Sequence, residues 1–310
     1  MTTIKEPLKY LKTSMEVPVK YSNTPEYMFP PTGSCPGCAY GLIYRLFFKA
    51  SGPKIITTSM PGCGGAGRLV SDGIPIDTAR SAFGNAVSVA AGISLGLIAQ
   101  GDTETVVVPF VGDGCVFDIG MGALSAAAER NNNLLFVVKD NEGYQNTGDQ
   151  RSSAAPWMST NTTNPPGFAK VEFKKDIDSI LASHRIPYLA TATVGFPDDY
   201  MRKVKKAMSI KGFRLIHVLS PCPTGWGFPS EMTLALSRLA VETKLFPLYE
   251  VENGVKYTIN HEPKGLPLAE YLNSQRRFRD ISSAQLEKFE REVEKRWNRL
   301  QFLASYDEDS

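Results

Sequence analysis

Two apolar runs, each ending on a polar turn, constrain this chain more than anything else in it. Val106-Val107-Val108-Pro109-Phe110-Val111 drives into Gly112-Asp113-Gly114-Cys115, and Leu134-Leu135-Phe136-Val137-Val138 ends at Lys139-Asp140-Asn141-Glu142-Gly143. Short, continuous apolar runs bounded by turn residues read as strands buried on both faces, as in a parallel sheet. Parallel sheets carry their chemistry at the carboxyl ends of their strands. Asp113 and Asn141 then offer hard oxygen ligands at adjacent strand ends. They suit a small octahedral cation such as magnesium, which keeps few protein ligands and fills its shell with phosphate oxygens and water. The competing reading is a plain strand-turn-helix in which Asp113 caps a helix over 118–130.

The size of the chain permits this sheet. Its 310 residues, 42% hydrophobic, allow one large α/β domain with extensions or two small domains. A net charge of +2 favours neither nucleic acid nor membrane. The apolar runs stop well short of the ~20 residues of a membrane span, and Met1-Thr2-Thr3-Ile4-Lys5-Glu6 lacks a secretory apolar stretch. A cytoplasmic protein is expected. Five cysteines, unevenly placed, argue against a disulfide framework and for metal or redox use.

In chain order, residues 1–34 are rich in Pro and Lys and read as an extended arm or a solvated tail. A helix over 40–50 follows, then a strand over 54–58. The stretch 84–100 is apolar and rich in small residues, a helix packed against a helix across an interface or one covering the sheet. After the helix over 118–130 the chain returns at Leu134, closing a βαβ unit. Residues 148–167 form a long polar loop, of a kind that is usually functional, with Arg151 as its natural anion ligand or a solvated surface residue. Further on come a helix over 176–183, a strand over 188–192, a basic helix over 197–209, a strand over 213–219 and a helix over 229–242. The stretch 246–282 reads as loop, with a hairpin around Asn253-Gly254. The last helix opens on a capping box, Ser282 to Gln285, and carries the stripe Leu286, Phe289, Val293, Trp297, Leu300, to dock on its own domain or on a partner.

Four cysteines lie at turns: Cys35 and Cys38 in a Cys-x-x-Cys, Cys63 in a Gly-rich loop after a strand, and Cys222 between two prolines after another. Four thiolates can hold zinc or an iron–sulfur cluster. With a single Cys-x-x-Cys knuckle and two isolated partners, a cubane cluster is favoured over zinc. Cys115 directly follows the Gly-Asp-Gly turn and reads as lining a cofactor site or as a buried spectator. Three scattered histidines make a His-based metal site or triad poor readings; His217 reads as a satisfied core residue.

Cys35-Pro36-Gly37-Cys38, Cys63, Gly112-Asp113-Gly114, Asp118-Ile119-Gly120, Asp140-Asn141-Glu142-Gly143-Tyr144-Gln145-Asn146-Thr147-Gly148, Gln150-Arg151-Ser152-Ser153, His184-Arg185-Ile186-Pro187-Tyr188 and Pro221-Cys222-Pro223-Thr224-Gly225-Trp226 follow one another in order. Over about 33–280 the chain resembles the β subunit of 2-oxoacid:ferredoxin oxidoreductases, the pyruvate type most of all. The resemblance implies a thiamine diphosphate-binding α/β fold: a mostly parallel sheet flanked by helices over 35–245, with N- and C-terminal extensions (1–34 and 246–310). It implies Mg2+ on Asp113, Asn141 and the Gly143 carbonyl, and a [4Fe–4S] cluster on Cys35, Cys38, Cys63 and Cys222. Asn146 would be the active-site residue. Gly62, Gly64, Gly112, Gly114, Cys115 and Thr147 would help to hold the cofactor. The implied activity is thiamine-dependent oxidative decarboxylation of a 2-oxoacid, with electrons leaving through the cluster to ferredoxin. The glutamate that thiamine enzymes place on the pyrimidine has no counterpart here. The resemblance assigns it to an α-type subunit, with γ/δ-type subunits in the same complex, so this chain alone would be inactive.

The chain departs from the pyruvate pattern at Gly64-Gly65-Ala66-Gly67-Arg68, at Thr78-Ala79-Arg80-Ser81 and at Gly114-Cys115-Val116. A lost negative charge with Arg68 and Arg80 nearby would suit a more anionic substrate, oxalate, yielding CO2 without coenzyme A. Pyruvate oxidation to acetyl-CoA is the alternative. From other classes, a non-catalytic metal-binding scaffold and a thiamine decarboxylase without a redox step remain.

Overall fold

The computed structural model describes residues 25–28, 33–63 and 78–306. Its centre is an eight-stranded sheet in the order β2-β1-β3-β4-β6-β5-β7-β8. The strands are β1 (Ile55–Ser59), β2 (Thr78–Arg80), β3 (Val106–Gly112), β4 (Leu134–Asp140), β5 (Tyr188–Thr193), β6 (Phe213–Leu219), β7 (Tyr249–Glu252) and β8 (Lys256–Ile259). β1 to β6 pair in parallel, and the β7–β8 hairpin adds antiparallel on the β5 edge. Gly112 on β3 stands opposite Lys139 on β4, so Asp113 and Asn141 leave the same end of the sheet side by side.

The apolar strands alternate between two cores, as side chains of period two must. Val107, Val111, Leu134, Phe136 and Val138 face one core. It is covered by α2 (Ala86–Ala99), α3 (Met121–Glu129) and α4 (Ile177–Ala182). Val108, Phe110, Leu135 and Val137 face the other, covered by α1 (Ala39–Ser51) and α5 (Pro197–Ser209). Each such side chain, fully buried, stabilises by about 1.5–3 kcal/mol. This two-sided burial explains why β3 and β4 read as unbroken apolar runs.

A third core starts from Leu219 at the end of β6. It gathers Trp157, Leu219 and Trp226 with residues of the one-turn α6 (Pro223–Trp226), α7 (Thr233–Glu242), α8 (Leu268–Asn273) and α9 (Ser283–Ser305). The α9 capping box forms, with Ser282 Oγ accepting from Gln285 N at 3.3 Å and Gln285 Oε1 accepting from Ser282 N at 2.8 Å. Phe289, Val293, Trp297 and Leu300 are buried on the chain itself.

Two local expectations are corrected, and one pair of alternatives is narrowed. The helix expected over 118–130 is split: Gly114–Ile119 forms a wide π turn, closed by Gly120 N on Cys115 O at 2.7 Å, before α3 begins. The small-residue helix α2 covers the sheet through Ala86, Val87, Ala90, Ala91 and Ser94, and leaves Leu95 and Ile98 exposed. The stretch 246–282 is not all loop, since it also holds α8. The edge strand β2 was not anticipated, because three residues carry no period. The expected arm falls mostly outside the described residues, as do Gly64 and Arg68.

Candidate functional site

Where β1, β3 and β4 end, a cavity of about 320 Å³ opens. Its wall includes Gly62, Cys63, Gly112, Asp113, Gly114, Asn141, Gly143, Asn146 and Thr147, together with Met60, Phe83, Phe110 and Tyr144. These residues are far apart in sequence and meet because parallel strands discharge their loops at one end. Gly62 has φ of 139° and open space where a Cβ would stand. A Cβ on Gly114 would enter the Tyr144 ring.

Asp113 is 1% exposed and its carboxyl accepts from Ser152 Oγ. Burial, then the nearby Asp140 carboxylate, pushes its pKa well above the usual carboxylate range. The Asn141 carboxamide beside it fits in two orientations. With its nitrogen inward, it donates to Asp113 Oδ1 and to Gly143 O, each at 2.9 Å, and its oxygen accepts from Tyr40 OH at 3.0 Å. With its oxygen inward, three oxygens face one another with no hydrogen between them. That is the donor set of a hard cation, and a buried carboxylate that resists ionisation alone is stabilised by one. The residues present therefore fit magnesium.

The loop that carries Gly143 is held by buried charge. Glu142 adopts φ of 61°, a left-handed backbone costing a non-glycine residue roughly 1–2 kcal/mol. Its carboxylate meets Lys174 Nζ at 2.8 Å and Arg277 Nη2 at 2.6 Å. Asp140 pairs with Lys174 and with His217 Nε2 (2.8 Å), whose Nδ1 lies 3.0 Å from Asp178. Burial alone would raise Asp140, but Lys174 and His217 overcome it and hold the acid at about 2. Burial opposes charge on His217, and Asp178 and Asp140 raise it to about 9. His217 is thus a satisfied core histidine. Trp226 Nε1 donates to Asn141 O at 2.8 Å, and the Arg277 guanidinium lies 3.9 Å from the Trp226 ring centre.

Cys38, Cys63 and Cys222 are partly buried, and Cys35 is exposed on its turn. Burial raises the Cys38 thiol, and lifts Cys63 to about 11 and Cys222 to about 12. The four act on one another: Cys35 on Cys38 and Cys63, Cys38 on Cys63 and Cys222, and Cys63 on Cys222. They are neighbours without forming a closed ligand set. Among the described residues, no three His, Cys, Asp or Glu are gathered as a metal-binding group. Four cysteines on turns supply the donor set of an iron–sulfur cluster in kind. Gln145 joins the two regions, its Oε1 3.7 Å from Cys222 Sγ and its Nε2 2.8 Å from Asp149 Oδ1.

Two sequence expectations find different surroundings. Cys115 is turned inward by the π turn. It is fully buried, 3.5 Å from Phe83 O, and does not belong to the cavity wall. Arg151 pairs with Glu172 at 2.9 Å and does not line the cavity, because the long loop folds back on itself. Arg80 ends the edge strand, exposed and also outside the wall, so the charge argument for oxalate finds no support among the described residues. The sequence reading missed Glu142, Lys174 and Arg277; the one local sign was the cluster of charges around Asp140-Asn141-Glu142.

The fold and this strand-end site define a thiamine-dependent enzyme. Residues 72–218 match the family described as Thiamine pyrophosphate enzyme, C-terminal TPP binding domain. Pyruvate synthase subunit PorB of Methanocaldococcus jannaschii is 41% identical over 288 residues, 87% of this chain and 95% of that protein. Ketoisovalerate oxidoreductase subunit VorB of Pyrococcus abyssi is 40% identical over 295 residues, 90% and 94% of the two. Among solved structures, the 2-oxoglutarate:ferredoxin oxidoreductase from Magnetococcus marinus, with 2-oxoglutarate, coenzyme A and succinyl-CoA bound, superposes with a TM-score of 0.56. It is 27% identical and covers 67% of this chain and 72% of its own. The chain belongs to the 2-oxoacid:ferredoxin oxidoreductase family, as its thiamine diphosphate-binding β subunit.

Proposed function

We propose that this chain serves in a cytoplasmic, multisubunit oxidoreductase that decarboxylates pyruvate, forms acetyl-CoA and delivers electrons to ferredoxin. The observation that carries the reading is the meeting of Asp113 Oδ1, the Asn141 carboxamide and Gly143 O in the wall of the cavity. Those three would hold Mg2+ against the diphosphate, with Gly62 and Gly112 leaving the backbone open for its approach. Asn146 and Thr147 would stand at the reacting end. Cys35, Cys38, Cys63 and Cys222 would hold a [4Fe–4S] cluster. Thiamine diphosphate, when bound, supplies the electron sink that lets carbon dioxide leave a 2-oxoacid, and the cluster supplies a one-electron acceptor of low potential. The chain's own contribution is to fix the metal loop through Glu142, Arg277 and Lys174 and to wall the site with Met60, Phe83, Phe110 and Tyr144. An α-type subunit would bring the missing glutamate, and γ/δ-type subunits would complete the path to ferredoxin.

The names of the relatives favour pyruvate or its branched homologue over oxalate. The test is dye reduction by the anaerobically purified complex, supplied in turn with pyruvate plus coenzyme A, 2-oxoisovalerate plus coenzyme A, and oxalate. Pyruvate turnover dependent on coenzyme A is expected. Turnover of oxalate alone overturns the substrate, and a complex without bound thiamine overturns the reaction class.

A further inference from the structure

Lys139 is a buried lysine that pairs with no carboxylate among the described residues. It follows the apolar run of β4, is 2% exposed, and donates from Nζ to Tyr44 OH at 2.7 Å. The same nitrogen lies 4.4 Å from the Tyr40 ring centre and 4.7 Å from that of Tyr44. Among the described residues it forms no ion pair, and the groups that favour its charge are Cys63 and Cys38. An ammonium taken out of water without a counter-charge costs several kcal/mol and tends to lose its proton, so Lys139 stays charged only with an anion beside it. The rings of Tyr40 and Tyr44 compensate a part of this through their faces. Lys139, Tyr40 and Cys63 share the wall of the strand-end cavity, and Cys38 and Cys63 pack against the core that holds Tyr40 and Tyr44.

We propose that Lys139 is the counter-charge for an anionic iron–sulfur group held by the cysteines around it, and a positioning residue that raises that group's reduction potential. The inference rests on the cluster assignment under Proposed function. A cubane bound by four thiolates carries net negative charge and gains one more on reduction. A fixed positive charge nearby stabilises the reduced form more than the oxidised one. Lys139 acts on the electron acceptor through space and takes no part in bond making.

The test uses the intact, anaerobically purified complex with the wild-type chain, Lys139→Met and Lys139→Arg. Iron and acid-labile sulfide are measured, then the midpoint potential by dithionite titration followed by electron paramagnetic resonance. Met preserves length and removes the charge; Arg keeps the charge. Lys139→Met should make the one-electron reduction about tenfold less favourable, a shift of about 59 mV to more negative potential, while Lys139→Arg stays near wild type. If Met loses iron and Arg keeps it, charge compensation is again supported. A potential unchanged in Lys139→Met, an equal shift in both variants, or iron lost from both overturns the proposal while leaving the cluster assignment intact. Wild-type protein free of iron and sulfide overturns the cluster assignment itself, and the proposal with it.

Discussion

Arg277→Met severs the tie between the C-terminal part of the chain and the metal loop. The Arg277–Glu142 pair is 2.6 Å long with both side chains 4% exposed. Arg277 Nε also donates to Gln275 Oε1 at 2.9 Å, and its guanidinium covers Trp226, whose indole holds Asn141 O. Removing one partner of a buried pair costs about 3–5 kcal/mol, mostly through the charge left uncompensated. Lys174 still meets Glu142 at 2.8 Å, so the lower end applies, about 3 kcal/mol. At roughly 2 °C per kcal/mol for a large domain, the melting temperature should fall by about 6 °C. Thermal unfolding of Arg277→Met, Glu142→Gln and the double variant gives a cycle that isolates the pair. The double variant should recover part of the loss, since neither charge is then stranded. Unfolding of Arg277→Met at the wild-type temperature, or strictly additive losses, would refute the reasoning.

Other outcomes follow from the same geometry. His217→Gln should cost most stability below pH 6.5, the ordinary histidine value, and progressively less as pH rises through about 9, because His217 stabilises only while protonated; denaturant titrations across that range read it. Gly114→Ala should force Tyr144 away and loosen its bond to Asp118 Oδ2 (3.1 Å), costing about 1–3 kcal/mol by overpacking and measurable by chemical denaturation. Trp297→Ala should cost about 3–5 kcal/mol and free α9, so that limited proteolysis cuts within Ser283–Ser305 before the sheet core.

The parts of this fold that were legible in the sequence are those with period or punctuation. β3 and β4 declared themselves as apolar runs because both faces are buried, and α9 declared itself by its stripe and capping box. The strand-end ligands were readable because Gly-Asp-Gly and Asp-Asn follow those runs directly. β2 and α8 were not, being too short to show a repeat. The π turn was hidden because a single widened turn leaves no sequence period, and its widening is set by Gly120 closing on Cys115 O. That turn sends Cys115 into the core, where adjacency to Asp113 had suggested the cavity. The Glu142–Arg277 tie was invisible because its partners are joined only by the folded chain.

The account stands on a cation held between Asp113, Asn141 and Gly143, and the most direct measurement is thiamine diphosphate binding to the purified complex as a function of Mg2+, for wild type and Asp113→Ala. Wild-type binding should require the metal. Asp113→Ala should fold normally and bind the diphosphate far more weakly at every Mg2+ concentration. Binding by Asp113→Ala as tight as wild type, or wild-type binding indifferent to chelation of the metal, would contradict it.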